Sequence, residues 1–284
     1  MDVLRQRILT ASLHSFPGEA EERCLRLGVA AVGWGVARVP SGWDDYVALA
    51  LTRYRPGDVK TVQRLVHAPA GTTVWFRDRE GIYHLGELHG QWKYDSSADA
   101  ARLDVMNTRP CRWQRVGPAL NVPGAVVRAF TGPGPAVRRI DNDAVRRYSE
   151  ALLKGHSPGV GLTREDIVED WLDDTDVEDL VALYLQHVEQ VVVVPPDRQR
   201  GHPGYDLEFV TPDGRRGLVQ VKTGRVSFDF GSLPDQEGER WAYVASGEVS
   251  GDGRLITTDQ LANFMREASD WLPQKLGRWI TAVQ

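Results

Sequence analysis

Three residue types that together can hold a divalent ion beside a phosphate stand close in the C-terminal part of the chain. Asp206 belongs to a run over 204–210 in which Tyr205, Leu207 and Phe209 alternate with Asp206 and Glu208. Gln220 and Lys222 belong to a second run over 217–223, with Leu218, Val219 and Val221 as its apolar members. Successive side chains of a strand point to opposite faces, so Tyr205, Leu207 and Phe209 form an apolar face and Gln220 and Lys222 fall together on the polar one. Between the runs, Thr211-Pro212-Asp213-Gly214 is a turn signal, so the pair is expected to form a hairpin. A register that sets Asp206 opposite Gln220 or Lys222 gathers a carboxylate, an amide and an ammonium. A carboxylate and a neighbouring acceptor can bind Mg²⁺ through oxygen while the ion keeps several waters. Such an ion lowers the pKa of a bound water and stabilises charge on a phosphate, and a lysine orients or deprotonates the nucleophile.

The elements that must position these groups are legible on either side. Over 175–188, Val177, Leu180, Val181, Tyr184 and Val188 follow the spacing of a buried helical stripe, and Thr175 followed by Glu178 fits a capping box. The β-branched run 190–194 is closed by Pro195 and Pro196, so the expected order is helix, strand, strand, strand. A closing helix is expected over 259–271, with Leu261, Phe264, Met265, Ala268 and Trp271 on one stripe. Glu178 has two readings: a cap of its own helix, or a third polar group for the ion.

The order Glu178, Asp206, Gln220, Lys222, the spacing Asp-x13-Gln-x-Lys and Gly204 just before the acid resemble the catalytic core of the PD-(D/E)xK nucleases, particularly the Mrr-like restriction branch, over about residues 165–284. The resemblance implies a restriction-endonuclease-like mixed sheet flanked by helices, cleaving DNA with Mg²⁺, for which Mn²⁺ can substitute. It also implies Asp206 and Glu178 as metal ligands, Gln220 as a group that places the ion or its water, and Lys222 as the residue that activates or orients the attacking water. Gln220 is uncharged, so metal affinity rests more heavily on the two carboxylates.

With 284 residues the chain has room for two modest domains. The breaker cluster 131–135 and the loop 155–159 frame a short helix over 142–154. We therefore expect an N-terminal domain over 1–130, a helical connector over 131–162 and the nuclease-like domain over 163–284. Two cysteines are too few for a disulfide framework or a zinc site, and no long apolar run or leader is evident, so a cytoplasmic location is expected. His156, His187 and His202 lack metal-ligand spacing. A net charge of −5 is unfavourable for binding nucleic acid, but nine arginines face four acids between 101 and 150, a local excess of about five positive charges.

The N-terminal domain mixes short strands with helices and is rich in tryptophan. Strand-like runs cover 29–36, the hairpin 72–77 and 82–88, and a pair over 91–94 and 112–116, while 44–53 and 58–67 read as helices; together they suggest a small α+β barrel. Trp34, Trp43, Trp75, Trp92 and Trp113 all lie here, five of the nine in the chain. Flat rings can stack on an unpaired base, and they can equally fill the core of a small barrel. The order of Trp34, the helices, the run 70–78, the run 82–86 and Trp92-Lys93-Tyr94-Asp95 resembles the EVE branch of the PUA-like superfamily, over about 25–120. That resemblance implies an aromatic cage for a modified base, with Trp34, Trp75 and Trp92 or Tyr94 as its walls.

Read together, the two halves suggest a modification-dependent restriction endonuclease. It would act on double-stranded DNA and as a homodimer, since two cuts need two active sites. The alternatives are a nucleic-acid-binding module with an inactive nuclease fold, a nuclease acting on RNA or branched DNA, and a protein with an interaction role.

Overall fold

The computed structural model describes residues 2–8, 18–131, 134–156, 163, 166–194, 204–234 and 238–280. Pro195, Pro196, His202 and the end of the expected connector, 157–162, lie outside the described residues apart from the exposed His156 just before them. The chain is mixed α/β and α+β and divides into two compact units. The first comprises Met1–Val122 and Val126–His156, and the second comprises Pro123–Ala125 and Ser157–Gln284.

The first unit is built on β1 (Val3–Gln6), β2 (Val29–Val32), β3 (Thr73–Arg77), β4 (Tyr83–Leu88), β5 (Lys93–Tyr94), β6 (Asn107–Gly117) and β7 (Val137–Arg139). They form one curled sheet in the order β2-β6-β4-β3-β1-β7, with β5 also on β6. Its end strands β2 and β7 do not pair among the described residues, so the sheet is a strongly curled half-barrel, consistent with the small α+β barrel expected. The helices are α1 (Glu19–Leu27), α2 (Trp43–Leu51), α3 (Pro56–Val66), α4 (Ala98–Leu103), α5 (Gly124–Thr131) and α6 (Asp143–Leu153).

Helix α6 begins where expected, because the side chain of Asn142 accepts from the N–H of Val145. It is no connector, however. Tyr148 of α6 donates to the carbonyl of Asn121 at 2.6 Å, and Ser149 accepts from the indole of Trp75 at 3.0 Å, which binds α6 into the first unit.

The arginines of 101–150 do not make one basic surface. Arg109 is buried and donates to the carbonyls of Leu65, Val66, Ala68 and Gly90, stapling the end of α3 to the sheet. Arg102, Arg112, Arg139 and Arg146 pair with Glu19, Glu87, Asp2 and Asp143. The strand expected over 112–116 exists within β6, but its partner there is β4; β5 pairs with the start of β6 at Asn107 and Thr108.

The second unit holds a π-helical turn (Ile167–Trp171), α7 (Asp174–His187), β8 (Val192–Val194), β9 (Leu207–Val210), β10 (Arg216–Arg225), β11 (Phe228–Asp229), β12 (Glu239–Ser246), β13 (Val249–Ser250), β14 (Arg254–Ile256), α8 (Thr258–Glu267) and α9 (Gln274–Gly277). Its main sheet runs β14-β12-β10-β9-β8: β8, β9 and β10 are an antiparallel meander, and β10, β12 and β14 are parallel. The expected order of helix, strand, strand, strand is therefore present, as is the hairpin, whose turn places Gly214 at φ +85°.

Three local expectations shift. Asp173, not Thr175, caps α7, by accepting from the N–H of Asp176. Val188 and Trp271 are exposed and leave the buried stripes. Tyr205 precedes β9 and packs with Phe228, Phe230, Leu233 and Ala242, away from Leu207 and Phe209.

Candidate functional site

In the second unit the hairpin register brings Asp206 beside Gln220. Leu207 pairs with Val219, and the N–H of Asp206 donates to the carbonyl of Val219 at 2.9 Å, just beyond the end of the ladder. From there one carboxylate oxygen, Oδ2, accepts from the side-chain amide of Gln220 and from the N–H of Val221 at 2.7 Å. Strand β10 outlasts β9 at this end, so its edge offers an N–H with no strand partner, and the carboxylate takes that place. Lys222 lies two residues beyond Gln220 on the same face, half-buried, beside Val244 of β12. Among the described residues its ammonium makes no hydrogen bond or ion pair.

Glu178 lies half-buried in α7, and the first turn of that helix is tied to β10 through Thr223, which donates to Asp174, at a place where the pairing of β10 with β12 is irregular. The other acids of the turn are also engaged: buried Asp176 pairs with Arg278 at 3.0 Å and lies 3.9 Å from Lys275. Burial, reinforced by Asp173, raises its pKa against the pull of these two cations. Among the described residues no three His, Cys, Asp or Glu side chains gather as a metal would require. Asp206 and Gln220 offer a hard cation the second carboxylate oxygen and the amide oxygen. That set suits an ion such as Mg²⁺ that keeps most of its waters, held weakly.

The four expected cage residues separate into two kinds. Trp75 is fully buried, stacked on Tyr148 at 6.1 Å and bonded to Ser149; it is core, not a cage wall. Its position on β3 between β1 and β4 accounts for this, because that part of the sheet is covered by α6. Trp34, Trp92 and Tyr94 are half-buried and belong to one aromatic group with Trp43, Tyr46 and Tyr54. Trp43 meets Trp92 edge-on at 5.6 Å and stacks on Tyr46 at 5.2 Å, and Trp92 donates to the side-chain oxygen of Asn107 at 3.2 Å.

The segment 33–36, expected to continue β2, leaves the strand instead. Trp34 is at φ +63°, a left-handed conformation that bulky residues seldom adopt. The turn is held from many sides. Asn107 donates to the carbonyl of Gly33 at 2.6 Å, Tyr46 to that of Trp34 at 3.0 Å, and Tyr54 to that of Gly35 at 2.7 Å. The hydroxyl of Tyr94 accepts from the N–H of Val36 at 2.9 Å. The carboxylate of Asp104 takes the N–H groups of Trp34 and Gly35; burial raises its pKa and these bonds only partly offset that.

The sequence reading assigned no role to Asp104, Asn107, Tyr46 or Tyr54. The available signal was Gly33-Trp34-Gly35, a large ring between two glycines, which a regular strand has no need of. The cysteines are not nucleophiles: Cys24 and Cys111 are buried free thiols, and burial pushes Cys24 up to about 12.

Comparison with family models, with curated proteins and with solved structures finds no match to this chain.

Proposed function

We propose that the chain is a metal-dependent DNA endonuclease whose first unit reads a modified base, in the manner of a modification-dependent restriction enzyme. The observation that carries the catalytic half is the meeting of Asp206 and Gln220 at the open edge of β10, with Lys222 two residues along the same face. A likeness to Mrr-type PD-(D/E)xK nucleases, by motif order and by the helix-and-meander arrangement, supports the same reading. Asp206 and Gln220 would hold the ion, Mg²⁺ or in its place Mn²⁺, and it would supply an activated water and charge stabilisation at the phosphate. Gln220 also orients Asp206, and Lys222 holds or receives the proton of the attacking water. The base-reading half is supported by the half-buried rings of Trp34, Trp92 and Tyr94 and by the EVE-like order of elements. Trp75 is left out of that pocket. The proposed partner is double-stranded DNA, cut on both strands by two copies of the chain.

A second reading is favoured by a specific observation. Asp206 Oδ2 is already engaged by Gln220 and Val221, and no three His, Cys, Asp or Glu side chains gather as a metal site among the described residues. On that reading the second unit binds DNA without cutting it. Incubation of methylated and unmethylated supercoiled plasmid with the protein and Mg²⁺ or Mn²⁺ separates the readings. Nicking of the methylated plasmid that Lys222→Ala abolishes supports the first. DNA retention without nicking supports the second, and equal cleavage of both plasmids removes the base reader.

A further inference from the structure

The turn at 33–36 carries a contradiction in its side chains. A Cβ on Gly33 would stand 2.2 Å from Oδ2 of Asp104, whose carboxylate is held by the N–H groups of Trp34 and Gly35, so close approach requires glycine there; at Gly35 the nearest atom is the terminal methyl of Met106, which can turn aside. The left-handed position between them is where glycine costs nothing, yet it carries the largest side chain. A left-handed L-residue costs roughly 1–2 kcal/mol, and such strain persists where the surroundings over-determine it, commonly at binding sites. Here the surroundings are side chains from separate elements: Tyr46 from α2, Tyr54 after it, Tyr94 from β5, Asp104 at the end of α4 and Asn107 from β6. They engage the carbonyls of Gly33, Trp34 and Gly35 and the N–H groups of Trp34, Gly35 and Val36. Those backbone groups are engaged within the fold, and Trp34 packs against the core cluster while staying only half-buried, so part of it is left at the surface.

We infer that this turn is a pre-formed stacking platform for one planar ring of a ligand, an unstacked nucleobase, and that Asp104 is the positioning residue that fixes the Trp34 ring. The inference rests on the base-reading half of the proposed function and adds a specificity rule to it. With its backbone donors and acceptors engaged, the platform reads ring area and planarity; the donor and acceptor pattern of the base is read elsewhere. A purine is held more tightly than a pyrimidine, and an abasic nucleotide is not held.

The test uses the full chain and three DNA duplexes differing at one bulged position: adenine, thymine or an abasic residue. The wild-type protein is expected to bind in that order, with roughly tenfold or more between adenine and abasic, as stacking on one ring supplies. Trp34→Ala should bind all three at the abasic level. Asp104→Asn should keep its circular dichroism and a cooperative melting transition while losing the same preference. In protein labelled with 5-fluorotryptophan, the Trp34 fluorine resonance, assigned with Trp34→Phe, should broaden or split in Asp104→Asn. A wild-type preference that survives in Trp34→Ala overturns the platform and leaves the base reader standing. A preference kept by Asp104→Asn, with a sharp unchanged Trp34 resonance, overturns the positioning role. A wild-type protein indifferent to the three duplexes overturns the base reader as well.

Discussion

The turn around Trp34 and the strand edge around Asp206 solve the same problem to different degrees. At the turn, backbone groups on both sides of Trp34 have side-chain partners, and Gly33 is closed to a Cβ by the held carboxylate of Asp104. At the strand edge one carboxylate oxygen is fully engaged, its mate is open, and Lys222 makes no ion pair among the described residues. A site that recognises shape benefits from being finished before the ligand arrives. A site that must admit a hydrated cation and a phosphate has to keep polar groups in reserve. On the proposed function, the difference fits a binding element at the turn and, at the strand edge, a site that the ion and DNA would complete.

The largest effect that would sharpen this contrast is at Lys222. If the reserve ammonium handles the proton of the attacking water, Lys222→Ala should lower the nicking rate by about 10²–10⁴-fold, the range for general acid–base groups, with DNA retention nearly unchanged. A gel-based nicking time course measures the first and filter binding the second. A drop shared equally by both would make Lys222 a phosphate contact only.

Next in size is Trp75, whose ring belongs to neither site. Trp75→Ala should cost about 3–5 kcal/mol by denaturant unfolding, because it removes a fully buried ring stacked on Tyr148 and leaves Ser149 without its donor. A loss of base preference in Trp75→Ala without that destabilisation would return Trp75 to the pocket.

The two sites were unequally legible. The strand edge was read from local patterns: a turn signal, alternation and Gln-x-Lys. Each acts over a few residues, and the structure has the hairpin where they put it. The cap of α7 was misplaced because 173–176 reads Asp-Asp-Thr-Asp and offers several capping residues in succession. The turn was half legible. Trp34 stood out by type, but its holders Tyr46, Tyr54, Asp104 and Asn107 come from distant positions that only the folded sheet assembles. Strand β1 gave no signal at all. Two of its four residues, Arg5 and Gln6, are buried polar groups, so the apolar alternation that marks a strand is missing, and its partner β3 is about seventy residues away.

A smaller effect isolates Asp104. Burial holds its carboxyl above the ordinary 3.8, so the folded protein binds this proton more tightly than the unfolded chain does. That contribution to stability is complete below the unfolded value and is lost as pH rises through the raised folded value. Asp104→Asn cannot ionise and has no such loss. The stability of the variant relative to wild type, from urea melts between acid and neutral pH, should therefore climb with pH. A constant difference would mean that the backbone N–H groups of Trp34 and Gly35 cancel burial in setting this carboxyl, and a falling one that they outweigh it.

The smallest expected change in stability is at Trp34 itself, and it bears most directly on the contrast. Trp34→Gly relieves the left-handed strain and removes a half-buried ring, two effects of opposite sign and each on the order of 1 kcal/mol, so the unfolding free energy should stay within about 1 kcal/mol of wild type. Base preference should nevertheless disappear. That combination, a ring dispensable for folding and required for binding, is what a presented stacking surface predicts. A loss of several kcal/mol in Trp34→Gly would instead make the ring a core member, and the turn would then be a device for burying Trp34 rather than for showing it.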